Sequence, residues 1–490
     1  MKKETFIAIA AVVCLGILPP LVWQSKAAEG DLLWSRKYGG NQNEQANAII
    51  PSGDGGFLLA GWTSSYGAGE TDMWLFKVND QGDSLWSKTY GGSSWDEANA
   101  IASTADGGFL LAGFTCSFGS YDMWLVKVNS NGDSLWSRAY GGMSQDIANS
   151  MITSADGCFL SAGHTFSFGS GSEDMWLVKV NAQGDSLWSQ TYGGTVYDNA
   201  HSITASGDGG FMLAGASGAG PAAIDAMLVK VSDQGDQIWS RTYWGSLDNW
   251  ANSVIPSGDG GYILAGVTSL PSFDAWLLKV DDAGEPVWSQ TYDSLSEAFC
   301  TIPSQDGGFL FVGQAPNFGA GIMEIYLDKV NSQGEQQWHN TYGGFMGSWA
   351  RVIIPSGEGN YLIAGGTADS LGLYADMLLL KVAGPGTPVI EPQISSKPII
   401  FTLSPCYPNP FNSMTAIRFT LPSASFVNLD IFVNDGRRIP DMKMDASIQG
   451  WYDAGVHEVR FDGSGLASGI YIARLQAGDF VGLEKLVLLK

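Results

Sequence analysis

Four acidic residues fall at near-equal intervals in the first half of the chain: Glu44, Asp96, Asp146 and Asp198. Three positions after the first two stand amides, Asn47 and Asn99. About 18 positions after each of the first three acids stands a ring, Trp62, Phe114 and His164. Carboxylates and amides hydrogen-bond hydroxyls and peptide groups, and aromatic faces stack on sugar rings. This set therefore suits a neutral carbohydrate or a peptide, and the carboxylates alone would suit a cation. A pair such as Asp96 and Asp146 could serve glycoside chemistry if the carboxyls lay about 5–10 Å apart, a separation that sequence does not supply. No Gly-x-Ser-x-Gly elbow, His-Glu-x-x-His pair or phosphate-cradling loop is present. No catalytic residue is nominated, and no cofactor is expected. With four His in the chain and no Cys/His cluster at ligand spacing, no metal site is expected either.

The elements that hold these residues repeat. The phrase Trp-Ser-x-x-Tyr-Gly-Gly, or a close variant, begins at Trp34, Trp86, Trp136, Trp188, Trp239, Trp288 and Trp338, with spacings of 52, 50, 52, 51, 49 and 50. Each period reads as four short strands. In the second, strand A is Ala98–Ser103, strand B Phe109–Thr115, strand C Asp122–Val128 and strand D Leu135–Tyr140. Asp106-Gly107-Gly108 turns A into B, and Asn129 to Asp133 turns C into D. Four antiparallel strands per ~50 residues is the plan of a propeller blade. The chain enters on a lone strand D, Asp31–Tyr38, and the repeats end on a strand C, Asp376–Val382. A closed ring uses that first strand to complete the last blade and leaves no open edge; an open solenoid has no use for it. The prediction is an all-β chain with a seven-bladed β-propeller over 31–383. Ala98, Ala100 and Ala102 place A innermost, and the Trp of D packs between blades.

In this ring the start of A lies beside the end of B, so the acids, amides and rings named above share one mouth. Loop aromatics Tyr66, Phe118, Phe168, Phe273 and Phe318 join them. Blades 1 to 4 read as acidic and aromatic there, and blades 5 to 7 do not. The acid that opens every strand C and the Lys five positions later recur in all blades. Their expected role is structural: loop bonding by the carboxylate, and a Lys stem packed between blades with its head at water. The repeat resembles the Trp-containing repeats of large seven- and eight-bladed propellers, including the quinoprotein-like group, although ligands for a quinone cannot be located.

Both ends of the chain carry addresses. Lys2-Lys3, an apolar run from Phe6 to Val22 and Ser25-Lys26-Ala27-Ala28 read as a signal peptide over 1–27. Residues 384–398 are Pro-rich and read as a linker. The period then stops, and six short strand-like runs over 399–490 predict a small β-sandwich. Tyr407-Pro408-Asn409-Pro410-Phe411-Asn412, Asp435-Gly436-Arg437, Leu466-Ala467-Ser468-Gly469-Ile470-Tyr471 and the ending Glu484 to Lys490 resemble the type A C-terminal sorting domain of the type IX secretion system, which is Ig-like. That resemblance implies passage through the periplasm, contact with outer-membrane secretion machinery, and release or attachment at the cell surface. No transmembrane segment is expected in the mature chain. The net charge is −24, nearer −26 without the signal residues, which makes nucleic acid and anionic membrane surfaces poor partners.

Overall fold

In a computed structural model of the chain, the described residues are 28–218, 224–243, 248–269, 273–294, 296–317, 322–343, 347–368, 372–385, 402–403, 406, 409, 411–421, 425–433, 437–439, 443–444, 449–452, 455–477 and 480–490. The expected signal peptide, most of the linker and Phe318 lie outside them. The chain divides into two compact units, one over 26–387 and one over 388–490.

The first unit contains seven four-stranded antiparallel sheets, each ordered A-B-C-D. In blade 2 these strands are Asp96–Ser103, Phe109–Thr115, Asp122–Val128 and Ser134–Tyr140. The seventh sheet takes its D strand from the start of the chain. Leu32–Tyr38 pairs with Ala375–Val382, Ser35 opposite Leu380 and Tyr38 opposite Met377. Two backbone bonds at 2.8 Å, Gly30 N–H to the Ala383 carbonyl and Ala383 N–H to that of Asp31, extend the closure. Neighbouring A strands touch all the way round, including Glu44–Pro51 of blade 1 with Ser348–Pro355 of blade 7. A is therefore innermost, and the largely exposed D is outermost.

The apolar core is distributed over the seams between blades. Between blades 2 and 3, Leu110, Ala112 and Leu125 pack on Phe159, Trp176 and Val178. The deepest indoles belong to strand C: Trp74, Trp124, Trp176 and Trp276 are 2–7% exposed. The sequence reading gave this weight to the Trp of strand D, but those are only partly buried and have a narrower task. Each D-strand Trp lies on the left-handed glycine of the next blade's C–D turn, Trp86 on Gly132 and Trp136 on Gly184. The Tyr four residues on donates to the carbonyl of that glycine, at 2.6 Å for Tyr90 to Gly132. The recurring Trp-Ser-x-x-Tyr phrase is thus one half of an inter-blade latch. At the closure, Gly30 stands in for the turn glycine and receives Trp338 and Tyr342.

At the opposite mouth the recurring Lys behaves differently from expectation. The side chains of Lys77, Lys127, Lys179, Lys230, Lys279 and Lys329 are 3–12% exposed, and each head pairs with the Asp of its blade's A–B turn. The partner carboxylates are about half exposed, so each pair adds only a few tenths to about 1 kcal/mol.

The second unit is a sandwich of two four-stranded sheets around Phe411, Ile417, Phe419, Leu429, Phe461, Leu475 and Leu488. Its distant motifs meet. The Asn409 side chain donates to the Lys485 carbonyl at 2.6 Å and accepts from Val487 N–H at 2.8 Å, as a neighbouring strand would. Phe411 N–H continues the pairing to the Val487 carbonyl at 2.9 Å. Lys490 reaches Ser464 and Ser468, just before and within the Leu466–Tyr471 motif. Among the described residues Cys116, Cys158, Cys300 and Cys406 are free thiols, and no helix is long and apolar enough to cross a membrane.

Candidate functional site

The mouth formed by A-strand starts and B-strand ends holds every sequence-nominated residue, but it turns the acids inward. Glu44, Asp96, Asp146 and Asp198 are 0–1% exposed. Each carboxylate accepts from the glycine-loop N–H four residues upstream: Gly40 at 3.0 Å, Gly92 at 2.9 Å, Gly142 at 2.8 Å and Gly194 at 2.7 Å. Glu44 also accepts from the Thr63 hydroxyl at 2.9 Å and Ser65 N–H at 3.1 Å. Asp96 takes the hydroxyls of Thr115 and Ser117, and Asp146 those of Thr165 and Ser167. These bonds satisfy loop donors that the seam removes from water. In blade 7 a shorter side chain does the work, with the Ser348 hydroxyl 2.8 Å from that of Thr367. The acidic contrast between blades 1–4 and 5–7 is therefore internal and does not make an acidic rim.

Asn47 and Asn99 occupy a β-bulge that recurs in every A strand. Their side-chain amides donate at 2.9 Å to the carbonyls of Ala98 and Ala148 in the next blade. Asn149, His201 and Asn252 extend this belt around the axis. The belt changes character where Phe299 and Arg351 replace the amide, the guanidinium lying 4.7 Å above the Phe ring.

The three rings sit one layer above. Trp62 is half-buried and lies across from Gln45, whose side-chain Oε1 accepts from the Trp349 indole N–H at 2.8 Å. Phe114 is buried, stacked on Tyr121 at 4.7 Å and paired across strands with Glu97. His164 is buried with its Nδ1 3.6 Å from Glu173 Oε1, beyond hydrogen-bond reach, and that oxygen accepts instead from the Asn199 amide at 3.0 Å. Burial pushes His164 down to about 4 and raises Glu173 to about 7. Burial alone raises Glu97 to about 7. Among the acids at this mouth, Glu97 and Glu173, which sequence reasoning passed over, are raised to about 7, and burial also raises the strand C acids Asp72, Asp122, Asp174 and Asp225. The signal for Glu97 was present: the second position of strand A runs Gln45, Glu97, Ile147, Asn199, Trp250, Glu297, Trp349, and it breaks the repeat as strongly as the positions chosen, whereas Glu173 stands just before strand C of blade 3, where blades 1 and 2 have Thr71 and Tyr121. Among the described residues no group of three or more His, Cys, Asp or Glu side chains is placed to hold a metal ion.

Exposure separates the two mouths. The propeller's exposed aromatics among the described residues, Tyr66, Trp95, Phe118, Phe166, Phe168, Phe273 and Tyr374, all lie in loops of this one mouth.

Residues 405–489 match the family described as the secretion system C-terminal sorting domain. A search of curated proteins found no match. Solved structures similar to this chain include a protein of unknown function from Bacteroides caccae, with 15% identity, 59% of this chain and 94% of that one covered, and a TM-score of 0.36. Sqt1 from Chaetomium thermophilum aligns at 13% identity over 74% and 88%, with a TM-score of 0.43. A puromycin hydrolase aligns at 14% over 81% and 62%, with a TM-score of 0.42. Likenesses at this level carry no functional argument. The C-terminal match and the ring of four-stranded sheets together describe a secreted or cell-surface β-propeller that carries a type IX secretion C-terminal sorting domain.

Proposed function

We propose that the propeller is a non-catalytic binding or scaffolding module whose ligand docks at the mouth of the A-strand starts. The observation that carries this reading is the confinement of exposed aromatics to that mouth. Exposed apolar side chains gathered on one face mark an interaction site where single scattered ones do not, and ring faces beside amides suit a neutral carbohydrate or a peptide. In this reading Trp62, Phe114 and His164 shape the floor. Asn47 and Asn99 hold the channel wall, and Glu44, Asp96, Asp146 and Asp198 fix the loops that present Tyr66, Trp95, Phe118 and Phe168. A glycan and peptide array probed with the exported protein tests it. Saturable binding that Trp95→Ala and Phe118→Ala weaken supports it; binding that both changes leave intact removes the mouth as the site.

A second reading, a polysaccharide-acting enzyme, is favoured by one observation. Glu97 and Glu173 hold protons near neutrality, as a general acid must. A hydrolysis screen on polysaccharides decides between them, because turnover abolished by Glu97→Gln or Glu173→Gln would replace the binding reading. For export, truncation after Gly384 is expected to leave a folded propeller held inside a type IX host, and normal surface delivery of that truncation would refute a signalling role for the second unit.

A further inference from the structure

The seams of the ring are not equally filled. In blades 1, 2 and 3 the buried Trp of strand C is capped by an aromatic from the blade's own B–C loop: Tyr66 on Trp74 at 5.9 Å, Phe118 on Trp124 at 5.5 Å and Phe168 on Trp176 at 5.5 Å. Blade 5 keeps the indole and lacks the cap. Its loop aromatic, Phe273, lies instead on Trp250 at 6.1 Å, and among the described residues no ring covers Trp276. Trp276 is accordingly the most exposed of the four, at 7% against 2, 4 and 3%. A groove of about 620 Å³ opens beside it, between strand D of blade 4, Gln237–Tyr243, and strands C and D of blade 5, Asp274–Val280 and Pro286–Ser294.

We propose that this groove is a second binding site, running outward from the A-start end of the seam, where Asn249 and Thr268 lie, between the D strands of blades 4 and 5, and that it takes a neutral sugar of disaccharide size, one ring of which occupies the place of the missing aromatic cap. The lining decides the chemistry. Trp276 and Leu278 give an apolar floor, and Asn249, Thr268, Ser289 and Thr291 surround it with one amide and three hydroxyls. The Trp276 indole N–H donates to Ser289 Oγ at 2.8 Å, which leaves that hydroxyl its own proton to give. The charges at the edge, Arg241 and Glu285, lie 3.5 Å apart and cancel, so nothing favours an ionic ligand. An apolar floor with a few placed polar groups and a volume of several hundred Å³ is the usual build of a small-molecule site. Asn249 also stands where blades 1 to 4 carry a carboxylate, so the buried acid beside the site is the strand C residue Asp274, opposite Thr268. Blade 7 supplies an internal control. Its corresponding groove, about 450 Å³, has Leu378 in place of the Trp and so offers no stacking face.

The test is titration of the full-length protein with cellobiose, N,N′-diacetylchitobiose and mannobiose, followed by ligand-observed NMR and Trp fluorescence. At least one sugar is expected to bind with a dissociation constant on the order of 1 mM, typical of a shallow single site. Thr291→Trp, an exposed position on the groove wall, should weaken it at least tenfold. Ala139→Trp, the corresponding exposed position in capped blade 2, should leave it unchanged, which controls for folding. Ser289→Ala should weaken it severalfold. Absence of saturable binding by all three sugars overturns the proposal, as does binding indifferent to Thr291→Trp. Binding lost on Trp95→Ala but kept by Thr291→Trp assigns the sugar to the mouth and rejects the groove. The opposite pattern establishes the groove and leaves the mouth reading to its own test.

Discussion

The outer latch and the A-start mouth are built from the same seven repeats, yet they use repetition in opposite ways. At the latch, each seam brings a Trp and a Tyr from one blade onto a glycine of the next, and the pattern holds even at the closure, where Gly30 replaces a turn. At the mouth the framework is kept while its side chains change from blade to blade, from carboxylate to serine at the A start and from Trp to Gly at the B end. Repetition marks what holds the ring together. Departure from it marks where blades are free to differ, and the propeller's exposed aromatics among the described residues stand there.

The comparison breaks most visibly at the closure. Deleting residues 29–38 removes the seventh D strand and the Gly30 latch and leaves Ala375–Val382 as an open edge. A loss of more than about 5 kcal/mol, or failure to give soluble protein, is expected, because a strand and a seam are lost together. Denaturant unfolding measures it, and near-normal stability would show that the ring does not depend on its latch.

A smaller and sharper test compares two glycines with the same backbone. Gly107 and Gly132 both have φ of 79°. A Cβ at Gly107 meets nothing within 4 Å, and one at Gly132 would lie 2.8 Å from Trp86. Ala at 107 should cost only the left-handed penalty, about 1–2 kcal/mol, whereas Ala at 132 adds overpacking of about 1–3 kcal/mol. Equal losses would mean that the Trp–Gly contact is incidental.

At the mouth the expected effect depends on pH. Burial raises Glu173 from 4.5 to about 7, so between those values the folded chain holds a proton that the unfolded chain has released. This contribution to stability is complete below pH 4.5 and is lost as pH rises through 7. Glu97 acts in the same sense. His164, lowered from 6.5 to about 4, acts oppositely, and its contribution is lost as pH falls from 6.5 to 4. Glu173→Gln should therefore stabilise by about 1–3 kcal/mol above pH 7 and by nothing below pH 4.5. Thermal melts across this range check it, and a pH-independent change would remove the raised proton affinity. The smallest effect on stability belongs to Trp95→Ala, at a loop residue 47% exposed. Its melting point should stay within about 1–2 °C of the parent, corresponding to less than about 0.5 kcal/mol, so that any lost binding can be read as lost contact.

The number of blades, the inner place of strand A and the closing role of Asp31–Tyr38 follow from the chain's period and from where its strands begin and end. These are properties of single segments and their order. The sorting domain was equally legible, since its motifs are local strings, although that Asn409 serves as a strand neighbour for Lys485 and Val487 is a fact of the fold. The candidate site was legible only as a mouth. Sequence placed Glu44, Asp96, Asp146 and Asp198 at its rim, and the fold buried them against glycine loops. Sequence passed over Glu97 and Glu173, and the fold set them beside Phe114 and His164. The direction of a side chain at a strand end depends on bulges and on the blade next door, about 50 residues away, and no local pattern encodes either. The open seam at Trp276 has the same origin: a groove is a difference between neighbours, and only packing decides what is left unfilled.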